Sequence, residues 1–241
     1  MQKAVRSAGG GAAAVRTRGS QRDRSVVELA IVLVVLGLIL GGILKGQELI
    51  AGARLKATLA DVEAIRAAAA TFRERYGGIP GDYALAQARL GTPNGITWRL
   101  PRCDGANQGC DGDGIIEGNG RTGETLLFWQ HLTLGNLIAG IVLGSAVDDS
   151  IGAGLPAAAI GGGLAVQHQV IGGRTAHWMR LGSGAALTTG VVTGDQAHGV
   201  DREIDDGRPG TGSVRVTTAA CIDRGDYNPA GEACLMYFEL D

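Results

Sequence analysis

A single apolar run near the N-terminus restricts what this chain can fold into more than any other feature. Residues Val26 to Leu44 contain one charged side chain, Glu28, in nineteen positions. A helix needs roughly 20 apolar residues to cross the hydrocarbon core of a bilayer. The run therefore predicts a single membrane-spanning or membrane-anchored helical segment over 26–44.

Charge on the two sides of this run predicts its orientation. The residues before it include six basic side chains and one acid, Asp23. The basic ones are Lys3, Arg6, Arg16, Arg18, Arg22 and Arg24. Fewer basic residues follow the run within a dozen positions. The side of a membrane helix that is richer in Lys and Arg stays in the cytoplasm. We expect 1–24 to be a cytoplasmic leader and the rest of the chain to be outside the membrane.

A secretory signal peptide is the alternative explanation for a basic tail followed by an apolar run. The run is longer than a normal signal core, and no small-x-small cleavage site follows it. Apolar residues instead continue at helical spacing to Tyr76, namely Leu55, Leu59, Val62, Ala69 and Phe72. Gly77, Gly78 and Pro80 then break the pattern. We therefore predict one helix from Ser25 to Tyr76.

Glu28 is unusual because it lies inside the apolar run. A carboxylate at the centre of a bilayer costs about 2.5–3.5 kcal/mol, and less at its edge. The residue is either hydrated at the headgroup boundary or paired with a cation. The sequence alone leaves both explanations open.

The residues from Ser25 to Leu29, followed by AIVLVVLGLILGGILKGQELI, resemble a known N-terminal signature. Type IV pilins and the pseudopilins of type II secretion open their long helix with a stretch of the form S/T-L-I/V-E-L. The resemblance implies a pilin-like fold and assembly into a filament with copies of itself and other pilin-like subunits. It also implies that Glu28 pairs with the free N-terminal amine of a neighbouring subunit.

The resemblance places cleavage by a prepilin peptidase between Asp23 and Arg24. The family has glycine and an aromatic residue or methionine at these two positions, so this chain departs from the pattern there. Cleavage after Gly19, the nearest upstream glycine, would make Glu28 the ninth mature residue rather than the fifth. Both a cleaved and an uncleaved chain stay open. The family's inner-membrane assembly platform is a further implied partner.

The remaining residues, 77–241, predict one globular domain with long irregular connections, because glycine occupies 41 of 241 positions and aromatic residues only 4%. A second helix is expected over 122–138, capped by Thr122, and another over 195–206, capped by Asp195. Strands are expected over 164–171, 176–181, 214–218 and 235–240. The overall prediction is an α+β fold in which the long helix packs on a small antiparallel sheet.

The cysteines fall into two local pairs, Cys103 with Cys110 and Cys221 with Cys234. Four cysteines allow three connectivities. A zinc site would need closer Cys or Cys/His spacing. Local bridges are favoured in an exported domain, so we predict two disulfide loops.

Acidic residues in CDGDGIIEGNG resemble part of a calcium loop. Asp111, Asp113 and Glu117 offer hard oxygen ligands beside glycines that permit a sharp turn. The full twelve-residue calcium pattern is absent, so a solvated acidic turn is the alternative. Asp205 and Asp206 are a weaker candidate, because paired aspartates before glycine commonly end helices. No other cofactor is expected.

Several function classes lack support in the sequence. The net charge of −2 and pI near 6.1 give no drive toward nucleic acid. No G-x-S-x-G motif or phosphate loop is present. The histidines are scattered, although His168 and His177 could face each other across a hairpin.

The resemblance to type IV pilins therefore implies a structural subunit rather than an enzyme. It also implies a protein held by one pass in a bacterial inner membrane, with its C-terminal domain in the periplasm, that reaches the cell surface after assembly. The alternative is a membrane-tethered periplasmic domain that binds a ligand or catalyses a reaction without polymerising.

Overall fold

The fold was analysed in a computed structural model, which describes residues 25–91, 110–119, 123–141 and 149–240. The predicted leader, 1–24, lies outside the described residues. The chain divides into two compact units, Met1–Leu49 and Ile50–Asp241.

Helix α1 spans Ser25–Tyr76 and matches the predicted bounds. No proline interrupts the sequence between Ser25 and Tyr76, so no backbone N–H of the helix is lost. It ends where Gly77 adopts φ +74° and its N–H donates to the Arg73 carbonyl at 2.9 Å. This left-handed glycine is a common helix terminator.

In the second unit, the stretch of α1 from Ile50 onward buries one face. Val62 and Phe72 are fully buried, and they belong to one hydrophobic cluster with residues of the sheet such as Met179 and Phe238. The Phe72 ring lies 5.7 Å from that of Tyr83. This packing gives the predicted α+β arrangement of a long helix on a small antiparallel sheet.

The sheet has four strands in the order β1-β2-β6-β3, and all neighbours are antiparallel. These strands span Gly163–Ile171 (β1), Arg174–Gly182 (β2), Met236–Glu239 (β6) and Val214–Val216 (β3). Two glycines, Gly172 and Gly173, join β1 to β2 with φ values of +56° and +81°. Positive φ at both turn positions is typical of a tight hairpin, which explains why the register is regular.

A second, two-stranded sheet was not predicted. It pairs β4 (Ile222–Asp223) with β5 (Asp226–Tyr227). Strands of two residues have too little alternation to be recognised in a sequence.

The two faces of the main sheet bury different residues. One face contributes to the main core, while Trp178 and Tyr237 on the other face belong to a separate small cluster. The Arg215 guanidinium lies 5.4 Å from the centroid of the Trp178 ring, and its Nη1 donates to the Ile171 carbonyl at 2.7 Å. On this second face of the sheet, the Arg215 side chain therefore lies against Trp178 and is held in place by its own hydrogen bond.

Two further helices occur at the predicted places, but their ends differ. Helix α3 spans Glu124–Leu134, rather than continuing to residue 138. It stops at Gly135 because Asn136, with φ +54°, leaves the helical conformation. Its N-cap is Gly123, which provides no side-chain cap, and the predicted cap, Thr122, lies outside the described residues.

Helix α4 spans Gly194–Ile204. Thr193, not Asp195, caps it in a capping box with Gln196, so the predicted cap was wrong by two residues. A four-residue helix, α2 (Ala86–Arg89), lies between α1 and α3.

Candidate functional site

The first half of α1 presents a large apolar surface. Every residue from Val26 to Leu44 is exposed, with Val26 at 74% and Leu38 at 72%. Soluble monomeric proteins rarely expose contiguous apolar patches of this kind. By length and composition this segment is suited to crossing a membrane. Apolar surfaces of this size are commonly covered by lipid or by another protein chain.

Glycines in this segment and just after it are not packed against other described residues. An added Cβ at Gly37, Gly41, Gly42 or Gly46 would meet no atom within 4 Å. Glycine inside a helix costs about 1 kcal/mol relative to alanine, and nothing in the described part of the chain packs against these positions to compensate. Small residues on membrane helices allow the backbone of a neighbouring helix to approach closely.

Glu28 lies exposed in the first turn of α1. There its carboxylate interacts favourably with the positive end of the helix dipole. None of the ion pairs between described residues involves Glu28. The junction of Asp23 and Arg24, where cleavage was predicted, lies outside the described residues.

The C-terminal disulfide forms as predicted. Cys221 and Cys234 are bonded, their Cα atoms are 5.8 Å apart, and both side chains are fully buried. Cys110 is also disulfide-bonded, but Cys103, the partner expected for it, lies outside the described residues. The bridge between Cys103 and Cys110 stays a prediction.

The loop that follows Cys110 is shaped by a carboxylate that precedes it by about thirty residues. Asp82, almost fully buried, accepts hydrogen bonds from the N–H groups of Gly112 (2.6 Å) and Gly114 (2.7 Å). Both glycines have positive φ, which aims these two N–H groups at the same side chain. Burial raises the pKa of Asp82 above its usual value of 3.8, against the effect of the two donors.

A second carboxylate, Glu124 in the first turn of α3, holds the two ends of the loop. Its Oε2 accepts the N–H of Glu117 at 2.9 Å, and its Oε1 accepts the N–H of Cys110. Only 2% of Glu124 is exposed. Burial raises its pKa from 4.5 to about 7 and outweighs the two donors.

Of the predicted calcium ligands, only Asp111 belongs to a group of possible metal ligands among the described residues. Asp111 joins Asp82 and Glu124, with one carboxylate oxygen of each lying within 4.8 Å of the others. Asp113 instead accepts the N–H of Ile115 at 2.8 Å, and Glu117 contributes its backbone rather than its carboxylate to the contacts with Glu124. Calcium binding by Asp111, Asp113 and Glu117 stays a prediction.

A second group of acids stabilises the segment before β3. Asp201, fully buried on α4, accepts the Tyr227 hydroxyl at 2.8 Å and the Gly207 N–H at 3.1 Å. Asp205 accepts the N–H of Val214 at 2.9 Å. Burial raises the pKa of Asp201 to about 6. The adjacent aspartates thus end a helix, as the sequence suggested, and also anchor the following loop.

His168 and His177 face each other across the β1–β2 hairpin, with ring centroids 5.0 Å apart. The groups of three or more possible metal ligands in the described parts of the chain do not include either residue. The pair fits a structural contact across the hairpin.

No protein-family model matches this chain, and no curated protein matches it. Among solved structures, the chain is similar to the major type IV pilin PilA1 from Clostridium difficile. The identity is 13%, the match covers 79% of this chain and 96% of that chain, and the TM-score is 0.37. A similarity this distant assigns neither family nor function.

Proposed function

We propose that this chain is a non-enzymatic structural subunit of a pilus-like filament, either a type IV pilin or a pseudopilin of a type II secretion system. The main support is the exposed apolar half of α1, Val26 to Leu44, interrupted only by Glu28. Before assembly, this half anchors the protein in the bacterial inner membrane. In the filament, it packs against the corresponding helices of neighbouring subunits.

Moving from lipid into a bundle of helices keeps this surface away from water. Fully burying one Leu, Ile or Val side chain is worth about 1.5–3 kcal/mol, and this half of α1 has more than ten such exposed side chains. The surface therefore cannot remain in water outside the membrane without a partner. Identical helices provide one, and the glycines of the segment permit close approach.

Glu28 has a specific role in this proposal. A carboxylate that enters an apolar bundle needs a cation, because an unpaired buried charge costs several kcal/mol. The free N-terminal amine of a neighbouring subunit provides it if a prepilin peptidase cleaves the leader. The neighbour's Arg24 provides it if the leader remains.

The topology that fits these roles has the N-terminus in the cytoplasm and 77–241 in the periplasm. The Cys221–Cys234 bond fits this placement, since disulfides persist in oxidising compartments. An inner-membrane assembly platform would draw the subunit into the growing filament.

The decisive experiment is Glu28→Ala in the full-length protein, expressed in its own host. Incorporation is measured by shearing filaments from the cells and immunoblotting the sheared fraction. We expect a loss on the order of ten-fold or more, with membrane insertion and disulfide formation unchanged. Glu48→Ala is the matched control, because Glu48 is an exposed acid on the same helix that pairs with Lys45 at 2.7 Å. It should assemble like the wild type.

If the Glu28→Ala variant enters filaments at the wild-type level, Glu28 has no role in assembly. The absence of the wild-type chain from any sheared fraction would contradict the filament itself. The tethered, non-polymerising domain would then be the better description.

A further inference from the structure

The loop closed by the C-terminal disulfide contains a tight hairpin with a charged end. Its strands, β4 and β5, are antiparallel, and Asp223 lies directly opposite Asp226. Only Arg224 and Gly225 separate these two residues, and their φ values are +52° and +94°. Positive φ at both central positions is the geometry of a two-residue hairpin turn. The turn and its last residue form the tripeptide Arg224-Gly225-Asp226, which we call the charged tip.

The charged tip is exposed at all three residues. Of the Arg224 side chain, 93% is accessible, and its Nε lies 4.0 Å from the nearest oxygen of Asp223. An exposed ion pair at this distance contributes little to stability. The ion pairs between described residues do not include Asp226. Both the guanidinium and the carboxylate of the charged tip are therefore available to a partner.

The folding of the hairpin does not require these charges. Asn-Gly is the pair favoured where both φ values are positive, whereas an arginine with positive φ has an unfavourable backbone conformation. Like charges directly opposite each other also destabilise a pair of strands, and Asp223 and Asp226 are such a pair. Residues that reduce local stability at an exposed site are typical of binding sites. The composition of the charged tip therefore indicates recognition rather than folding.

The base of the hairpin is held by contacts on both of its strands. Tyr227 donates its hydroxyl to buried Asp201 at 2.8 Å and stacks on His198, with ring centroids 5.4 Å apart. The N–H of Asn228 donates to the carbonyl of Cys221 at 2.9 Å. Cys221 is in turn fixed by its disulfide bond. Because the base is fixed, a partner that binds the charged tip has little backbone freedom to remove.

The chemistry of the charged tip indicates the kind of partner. A free carboxylate is a ligand for a divalent cation, and a guanidinium forms bidentate hydrogen bonds with a carboxylate. Adhesion receptors of animal cells that recognise the Arg-Gly-Asp tripeptide provide both groups, a bound metal ion and an acidic pocket. We propose that the charged tip binds a receptor of this kind, with Asp226 on the receptor's metal ion and Arg224 in its acidic pocket. This interaction goes beyond the filament role and does not depend on polymerisation.

Cell adhesion to the full-length protein tests the proposal. The protein is reconstituted in phosphatidylcholine vesicles, which are immobilised on a surface. The probe is a fibroblast line that adheres to immobilised Gly-Arg-Gly-Asp-Ser peptide. In a buffer with Mg²⁺, we expect at least about ten-fold more adherent cells than on vesicles without protein, since many copies act together. EDTA or soluble Gly-Arg-Gly-Asp-Ser should abolish this difference, whereas soluble Gly-Arg-Gly-Glu-Ser should not.

Substitutions that keep each charge distinguish the tripeptide from charge alone. Asp226→Glu moves the carboxylate by one methylene group, so adhesion should fall about ten-fold. Asp223→Glu is the matched control, because it makes the same change directly across the hairpin but outside the tripeptide. It should support adhesion like the wild type. Arg224→Lys loses the planar guanidinium and should lower adhesion about five-fold or more. Non-reducing peptide mapping should show the Cys221–Cys234 bond in all three variants.

Several results would overturn the proposal. Wild-type adhesion no higher than that on vesicles without protein would exclude the receptor. Adhesion that EDTA or the Arg-Gly-Asp peptide leaves unchanged would mean that another surface of the chain binds the cells. Equal adhesion by the Asp226→Glu and Asp223→Glu variants, whether high or low, would show that the tripeptide is not what is recognised. These measurements are independent of the sheared-filament assay, so the failure of either proposal is seen separately.

Discussion

The buried carboxyl of Glu124 should make the stability of the outer domain depend on pH in a specific direction. Its pKa is about 7 in the folded protein and 4.5 in the unfolded chain. The folded state therefore binds the proton more tightly. The stabilisation is fully present below pH 4.5 and is lost as the pH rises through about 7.

The two pKa values correspond to about 3 kcal/mol in the free energy of unfolding. Screening by solvent around the carboxyl lowers this figure, so about 3 kcal/mol is an upper bound. Other buried groups titrate in the same range. Burial raises the pKa of Asp201 to about 6 and lowers that of His131 to about 3, and the histidine acts in the opposite direction. The pH dependence of the wild-type free energy of unfolding therefore combines the effects of all three groups.

Comparing the wild type with Glu124→Gln isolates this carboxyl. The amide cannot accept both backbone N–H groups, which adds a cost that does not change with pH. We expect the wild-type free energy of unfolding, minus that of the variant, to fall by up to about 3 kcal/mol between pH 4.5 and 7.5. Urea unfolding of the full chain in detergent reports it through the fluorescence of the buried Trp129 and Trp178.

EDTA should be present throughout, because a bound divalent cation would favour the ionised carboxylate. A difference that stays constant across this pH range would refute the reasoning. It would mean that the N–H donors of Cys110 and Glu117 keep Glu124 ionised despite its burial.

Three further changes should alter stability in the same urea assay. Phe72→Ala should cost about 3–5 kcal/mol, because it empties a fully buried position in the core. Replacing Cys221 and Cys234 by serine should cost about 3 kcal/mol, since the bond closes a short loop with a separation of 13 residues; an unchanged urea midpoint would contradict this. Tyr227→Phe should cost about 1–2 kcal/mol by removing the hydroxyl donated to buried Asp201. That cost should grow above pH 6, because the hydroxyl favours the ionised carboxylate.

Local patterns in the sequence were sufficient for the elements with strong periodicity. The bounds of α1 followed from the apolar run that begins after Ser25 and from the helical spacing of apolar residues that stops at Gly77. The strands of the β1–β2 hairpin were recognised because each is long enough to show strand-forming residues between glycines. The bond between Cys221 and Cys234 followed from their short separation.

Contacts between residues that are far apart in the sequence could not be predicted from such local patterns. Asp82 and Glu124 shape the loop after Cys110, but each is separated from it by a stretch with no pattern of its own. The only signals were an aspartate after a Pro-Gly turn and a glutamate at the start of a helix. The sequence also did not predict that β6 lies between β2 and β3. Strand order depends on which strand faces are buried together, and this is decided by contacts between distant parts of the chain.

Helix α1 shows which features the sequence determines and which only the tertiary structure decides. The sequence by itself determined that residues 50–76 form an amphipathic helix, since the apolar side chains recur at its period. That stretch has an apolar face containing Val62 and an opposite, alanine-rich face containing Ala60. Only the tertiary structure decided that the first packs on the sheet and the second faces outward, because large side chains fill the core while alanines leave a smooth surface.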